Sequence, residues 1–175
     1  MKTQRGRGPG AGGRGGQSLV EFALVLPLLF LLIVNAVNFG GFFFAWITVA
    51  NAARAGSQYF IMGGASVGAP DPPTAAQVYA VVQNDISSLL NRASLAVRSC
   101  TNNNGTIACT SAGGGSFANP PADARPESNL YVLGWVDVAY QYKPFIPLYS
   151  FPGLGVYMTL PPTSLHRQAV MRMIQ

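Results

Sequence analysis

Apolar residues dominate one continuous stretch of the N-terminal third of the chain. Residues 22–53 include no charged residue, and residues 22–34 are almost entirely apolar. As a helix, these 32 residues would extend about 48 Å, which exceeds the roughly 30 Å hydrocarbon core of a bilayer. The pattern therefore predicts a helix over 17–62 that spans a membrane in its first part, with Gly63 and Gly64 as its C-terminal stop.

A second, amphipathic helix is predicted after a linker rich in glycine and proline at residues 63–73. Thr74 and Gln77 have the spacing of a capping box, in which each side chain bonds the backbone of the other residue. Apolar residues then recur at helical spacing, which predicts a helix over 74–92. These residues are Val78, Val82, Ile86, Leu89, Leu90 and Ala93.

The remainder of the chain has the alternation typical of strands. Residues 131–143 place Val136, Val138, Tyr140 and Tyr142 on one face of a strand. Residues 155–160 and 165–173 are predicted to complete the same antiparallel sheet, and residues 111–129 to form a loop. The predicted fold class is α+β: a long transmembrane helix, or pilin-like stalk, with a small head of one amphipathic helix and an antiparallel sheet.

The two cysteines flank a predicted hairpin turn. Asn104-Gly105 is a strong signal for a two-residue turn, and that register places Cys100 directly opposite Cys109 in a non-hydrogen-bonded pair, where side chains lie closest. Metal binding and redox catalysis are the other roles open to two cysteines. Because the sequence has no C-x-x-C motif and one histidine, we expect a structural disulfide, with no metal and no cofactor.

Composition disfavours an enzyme. Charged residues make up 10% of the chain and apolar residues 49%, against about 25% charged residues in ordinary soluble domains. Six acidic residues and a single histidine, His166, offer little material for a catalytic site. The expected function is therefore structural rather than catalytic.

The net charge of +5 is concentrated at the N-terminus. The first 16 residues contain four basic residues and no acidic one, whereas the other 159 contain seven basic and six acidic residues. Arginine–glycine tracts of this kind also occur in RNA-binding proteins, but a cytoplasmic leader explains the charge without nucleic acid. Basic residues before the span predict a cytoplasmic N-terminus and a head outside the membrane. A removable signal peptide is disfavoured because its apolar region should be only about 7–15 residues long.

Two residues of the apolar stretch are unusual for a simple anchor. Glu21 lies at its start, where an unpaired carboxylate is costly. Pro27 removes a backbone hydrogen bond and favours a kink. A carboxylate at the membrane edge suggests a partner charge on another chain, although Glu21 would need none if it stayed among the lipid headgroups.

The segment Gly16-Gln17-Ser18-Leu19-Val20-Glu21-Phe22 resembles a prepilin-peptidase site, in which glycine is followed five residues later by glutamate and then an aromatic residue. The residues that follow, through Pro27, resemble the N-terminal helix of the TadE-like pseudopilins, which are minor components of the bacterial tight-adherence (Tad/Flp) pilus. Residues 51–57, Asn-Ala-Ala-Arg-Ala-Gly-Ser, resemble the stretch that follows that helix in the family. Gln17 and Gly41 depart from the family pattern.

The resemblance implies a minor pseudopilin of the bacterial inner membrane. A prepilin peptidase would cut between Gly16 and Gln17, and Glu21, Phe22 and Pro27 would then serve recognition and assembly. The implied partners are other pilins and pseudopilins, the Tad secretion machinery and membrane lipid, and the head would lie in the periplasm or outside the cell. The implied division of the chain is a leader over 1–16, the long helix, the linker and a head over 74–175.

Two alternatives remain at this point. An uncleaved single-pass envelope protein could carry a binding domain outside the membrane, but it leaves the spacing of Gly16 and Glu21 unexplained. A small membrane-anchored enzyme would need a pocket that gathers several titratable groups.

Overall fold

A computed structural model describes residues 14–63, 73–103, 105–115, 117, 131–151 and 156–174. Most of the predicted leader and linker, much of the predicted 111–129 loop and the turn residue Asn104 therefore lie outside the described residues. The long helix, α1, runs Arg14–Ile61 without interruption. It begins three residues earlier than predicted and ends one residue before the predicted position. Gly63 has a φ of 65°, the left-handed conformation of a helix stop.

The second helix, α2, spans Ala75–Asp85, and both hydrogen bonds of the predicted capping box are present. The prediction that this helix continues to residue 92 is wrong. Ser87 and Ser88 are poor residues for a helix interior, and the chain attaches to the sheet instead. The amide N–H of Asn91 donates to the Tyr140 hydroxyl at 3.3 Å, and its side chain donates to the Gln141 carbonyl at 2.9 Å.

Four strands form the predicted antiparallel sheet, in the order β2-β1-β3-β6. Two short strands pair separately as a ribbon, so the prediction that residues 155–160 join the main sheet is wrong. Pro152 and Gly153 precede those residues and Pro161 and Pro162 follow them, which leaves too little regular chain for a long ladder. The strands are β1 Ala96–Asn103, β2 Thr106–Gly113, β3 Tyr131–Tyr142, β4 Tyr149–Phe151, β5 Val156–Tyr157 and β6 Thr163–Ile174.

The hairpin between β1 and β2 has the predicted register. Cys100 pairs with Cys109 across the two strands, and a disulfide joins them. Gly105 takes a φ of 89° in the turn, and its N–H donates to the Asn102 side chain at 2.9 Å. The register and the disulfide inferred from the sequence are both confirmed, while Asn104 of the predicted turn lies outside the described residues.

The core lies between one face of the sheet and the two helices. Residues at alternate positions of β1 and β3 point at α1 and α2, as the alternation of β3 predicted. The buried apolar residues include Val49, Ala52, Ala53, Phe60, Val78, Val82, Ile86, Leu95, Val97, Val136, Val138, Tyr140, Tyr142 and Leu165. The head therefore closes its core with the C-terminal half of α1, a helix that is long and apolar enough to cross a membrane.

The opposite face of the sheet contains a buried ion pair. Arg98 donates from Nε and from a terminal nitrogen to Oδ2 of Asp137, at 3.0 and 2.8 Å, and Asp137 is completely buried. Phe117 places its ring over the Arg98 guanidinium at 4.5 Å. His166 is exposed, as expected from the sequence, and its Nε2 lies 3.8 Å from the other Asp137 oxygen.

Candidate assembly interface

The first part of α1 makes almost no contact with the other residues that the structure describes. Residues 17–33, which we call the bare segment, are exposed on all sides except for a partial covering of Leu31. At about 1.5 Å per residue, these 17 positions are about 25 Å long. Leucine, phenylalanine, valine and isoleucine side chains cover the whole circumference of the segment, and this is the surface of a helix that lipid or other helices must cover.

The polar end of the bare segment consists of Gln17 and Glu21. They lie one turn apart, and Nε2 of Gln17 donates to a Glu21 carboxylate oxygen at 3.3 Å. The Gln17 amide is neutral, so this hydrogen bond does not compensate the negative charge of the exposed Glu21 carboxylate. Phe22 is 59% exposed. Pro27 lies inside α1, and because it has no N–H, the backbone carbonyl of Ala23 loses its helical hydrogen bond.

Gly16 lies in the first turns of α1 without any steric need for glycine. A Cβ atom at this position would meet nothing within 4 Å. Glycine in a helix interior costs about 1 kcal/mol relative to alanine. The described part of the chain therefore gives no packing reason for a glycine at position 16.

The second part of α1, residues 34–61, is covered along one stripe by the head; we call it the docked segment. Its buried residues are spaced three, four or seven apart, as expected for one face of a helix. They include Val34, Asn38, Ala45, Val49, Ala52, Ala53, Ser57 and Phe60. The opposite face stays exposed and carries Phe39, Phe43, Phe44, Trp46 and Ile47.

Asn38 attaches the lower edge of the head to α1. Its side chain is fully buried; it donates to the Ile146 carbonyl at 2.8 Å and accepts from the Ile146 N–H at 3.1 Å. The Tyr142 hydroxyl donates to the Asn38 backbone carbonyl at 2.8 Å. Three hydrogen bonds thus fix the position of the head along the helix, at the point where the bare segment ends.

Residues 51–57 hold the head at the other end of the docked segment. Ala52 and Ala53 are buried, and a Cβ at Gly56 would lie 2.8 Å from a Val82 methyl group of α2. The Ser57 hydroxyl donates to the Ala169 carbonyl of β6 at 3.1 Å. The small residues of this stretch therefore let α1 approach both α2 and the sheet.

A comparison with family models identifies a similarity in the N-terminal third of the chain. Residues 16–58 match the model of the TadE-like protein family. This segment is TadE-like. The matched TadE-like segment covers about a quarter of the chain, from Gly16 through the bare segment and most of the docked segment, and its family is associated with the Tad pilus. No curated protein and no solved structure matches the chain significantly.

The TadE-like segment unites two kinds of residue. Gly16, Gln17, Glu21, Phe22 and Pro27 all lie on the exposed part of α1, where they do not contribute to the core of the head. The stretch at 51–57 is a packing element of the docked segment. The disulfide lies elsewhere, on β1 and β2.

Sequence reasoning missed the attachment at Asn38 and its neighbour Gly41. A Cβ at Gly41 would overlap the ring of Phe145, which explains why this chain has no side chain there. The available signal was a polar residue one turn beyond Val34 in an otherwise apolar helix, because a buried amide in such a place needs hydrogen-bond partners. Its partner, 108 residues away, had no signal in the sequence.

Proposed function

We propose that the chain is a minor pseudopilin, a structural component of a Tad-type adhesion pilus, and not an enzyme. The observation that carries this proposal is the bare segment beside a docked segment of the same helix. A stretch of 17 helical positions, apolar apart from its N-terminal end, has almost no cover from the described part of its own chain. In a membrane, lipid covers such a surface before assembly, and the helices of neighbouring subunits cover it afterwards.

A prepilin peptidase is the proposed processing enzyme, and its cut falls between Gly16 and Gln17. The open space around Gly16 supports this role, since glycine there serves no packing purpose within the chain. A protease that must reach the peptide backbone does benefit from a missing side chain. The cut removes the basic leader and creates a new ammonium group at Gln17.

Glu21 is then the proposed alignment residue for assembly. Its exposed carboxylate lies at the edge of the apolar surface, where it can reach the terminal ammonium of a neighbouring subunit. In a low-dielectric environment, such a pair favours one axial register, because any other register leaves a charge buried without its partner. Phe22 and the carbonyl freed by Pro27 lie beside it on the same exposed surface.

The proposed orientation places the leader in the cytoplasm and the head in the periplasm or outside the cell. Basic residues in the leader support it, since such residues are retained on the cytoplasmic side. The disulfide between Cys100 and Cys109 also fits an oxidising compartment.

The N-terminus of the mature protein tests the processing step. We expect mass and N-terminal sequencing of membrane-extracted protein to give a terminus at Gln17 in cells that contain the prepilin peptidase, and the uncut leader in cells that lack it. The same uncut leader in both strains would contradict the proposal.

Substitution of Glu21 tests the alignment role. Glu21→Ala should insert into the membrane and be processed normally but fail to co-assemble with partner pilins, whereas the control Val25→Ala, one turn further along the bare segment, should assemble. Co-purification of pilus subunits and counts of surface pili measure the effect. Normal piliation of Glu21→Ala would remove the alignment argument.

An uncleaved envelope protein with a binding head is the second candidate. One open groove favours it: a space of about 520 Å³ lies between α1 and β6 beside Trp46, Arg54 and Arg167. The Arg167 guanidinium stacks over the Trp46 ring at 3.4 Å. The terminus at Gln17 distinguishes the two candidates, because this one requires the leader to remain.

A further inference from the structure

Three exposed apolar side chains cluster at the lower edge of the head. Phe145 is 50% exposed, Ile146 is 40% exposed and Leu90 is 70% exposed. We call these three residues the foot. A contiguous exposed apolar patch is a feature of surfaces that bind a membrane or a protein partner.

The foot is held rigidly against one level of α1. The backbone of Ile146 is hydrogen-bonded on both sides by the Asn38 side chain. The Phe145 ring lies in the space that Gly41 leaves open. Leu90 and Phe145 line one cleft together with Phe44 of α1.

The distance along α1 from Glu21 to the foot matches the thickness of the hydrocarbon core of a bilayer. Asn38 follows Glu21 by 17 positions, about 25 Å along the helix axis, and Gly41 lies about 30 Å from Glu21 by the same measure. The hydrocarbon core is roughly 30 Å thick. With Glu21 at the cytoplasmic edge of the core, the foot therefore lies at the opposite edge.

The charges around the foot suit a lipid surface. Lys143 and Arg92 are exposed and lie close to it along the chain, and the residues described as lining the cleft include Lys143 and no acidic residue. Long basic side chains can place their charge among lipid phosphates while their stems cover apolar surface. Apolar residues next to basic ones are typical of segments that lie in a membrane interface.

We propose that the foot inserts into the outer leaflet, so that the head rests on the bilayer from which its helix emerges. This inference rests on the proposed membrane anchoring. Lipid is favoured over a second protein because the foot is attached to α1 at Asn38 and Gly41, the level where α1 leaves the hydrocarbon core. The contact fixes the depth and the tilt of the subunit before it joins an assembly.

Depth-dependent quenching tests the proposal on the full chain. Single cysteines at Phe145→Cys and, separately, at Leu90→Cys are labelled with the environment-sensitive dye NBD, since the native cysteines are bonded to each other. The labelled proteins are reconstituted in vesicles of phosphatidylcholine and phosphatidylglycerol in equal parts. Spin-labelled lipids then carry the quencher either near the acyl carbonyl or near the terminal methyl group.

Two further positions calibrate the measurement. Leu32→Cys lies 11 positions from Glu21, about 16 Å along the helix axis, near the middle of the proposed span, and should be quenched most by the deep label. Ile107→Cys is a matched, partly exposed apolar position on β2, at the end of the sheet away from Asn38, and should not be quenched. We expect both foot positions to show blue-shifted emission and to be quenched most by the shallow label.

The outcomes separate the inference from the proposed function. If Leu32→Cys is quenched but neither foot position is, the foot does not touch lipid and the inference is overturned, while the span stands. If the foot positions shift only after partner pilins are added, without lipid quenching, the occupant is protein and the inference is again overturned. If Leu32→Cys is not quenched by either label, the membrane anchoring itself fails.

Discussion

The bare segment and the docked segment belong to one unbroken helix, yet only the docked segment is covered by the head. Both are apolar and almost uncharged. The bare segment carries large side chains on every side, whereas the buried stripe of the docked segment contains small or polar residues such as Ala45, Ala52 and Ser57. Small side chains let a helix backbone approach a sheet, and large ones on all sides suit lipid or a bundle of helices. Side-chain size therefore separates the two segments where hydropathy does not.

The largest expected effect comes from Asp137, behind the sheet on which the docked segment packs. Asp137→Ala leaves Arg98 buried without its carboxylate partner, which should cost about 3–5 kcal/mol of unfolding free energy. Urea unfolding in detergent micelles, followed by tryptophan fluorescence, measures it. Leu24→Ala on the bare segment is the control and should change the value by less than about 0.5 kcal/mol. Equal losses would show that the bare segment contributes to the folded head.

Loss of the disulfide should have the next largest effect. The Cys100–Cys109 bridge closes a loop of about ten residues, for which the chain-entropy model gives about 2–3 kcal/mol. The double variant Cys100→Ala, Cys109→Ala should lose that amount in the same urea assay. The helical circular dichroism of α1 in micelles should be retained. A loss of helix signal as well would mean that the hairpin supports α1.

A matched pair of glycines compares the two sides of α1 directly. Gly56→Ala forces a methyl group against Val82 and should lose about 1 kcal/mol net, because overpacking outweighs the gain in helix propensity. Gly40→Ala meets nothing within 4 Å and should keep or gain up to about 1 kcal/mol. Both are measured by urea unfolding. If both substitutions lowered the free energy of unfolding by a similar amount, the assignment of one covered and one open face of α1 would be contradicted.

Alkaline pH should produce the smallest effect, confined to the head. Burial raises the pKa of Tyr140, partly opposed by the N–H bond from Asn91, and burial together with the charge of Tyr140 raises the pKa of Tyr142. Both folded pKa values exceed the ordinary 10.0, so folding favours the neutral phenols. Their contribution is complete below pH 10.0 and is lost as pH rises through the raised values.

A urea titration at increasing pH measures this loss. The midpoint should fall above pH 10.0, and Tyr140→Phe should reduce the fall because one of the two titrating groups is gone. An unchanged midpoint across the alkaline range would contradict the buried state of the two phenols.

The sequence predicted those features that depend on neighbours close along the chain. The capping box of Thr74 and Gln77, the left-handed Gly63 and the pairing of Cys100 with Cys109 each follow from a few adjacent residues. The C-terminal end of α2 was predicted too late because Ile86 and Leu89 keep the helical spacing of buried residues even after the helix has ended. The spacing of apolar residues indicates which residues are buried. Here the buried face continues past the end of α2 into the turn that contains Ile86 and Leu89.

Features that depend on distant contacts had no such signal. The buried charge of Asp137 looks like the polar face of an alternating strand, since its partner Arg98 is 39 residues away. The separate ribbon of β4 and β5 resembles one more strand of the main sheet. For the candidate interface, the spacing from Gly16 to Phe22 before a long apolar helix, together with residues 51–57, indicated the family resemblance. The hydrogen bonds by which Asn38 attaches the head to α1 became visible only in three dimensions.

The side chain of Asn38 pairs with the backbone of Ile146 as a second peptide group would. Position 146 therefore tolerates substitution much better than position 38. Because Asn38 bonds only the backbone N–H and carbonyl of residue 146, nearly any amino acid could replace Ile146 without breaking these two hydrogen bonds. Proline is the exception, since it has no N–H. Position 38 has no such latitude, since aspartate lacks the donor and leucine lacks both groups. Libraries that vary the head could therefore exchange residue 146 among apolar amino acids, which keeps the foot apolar, and hold residue 38 constant.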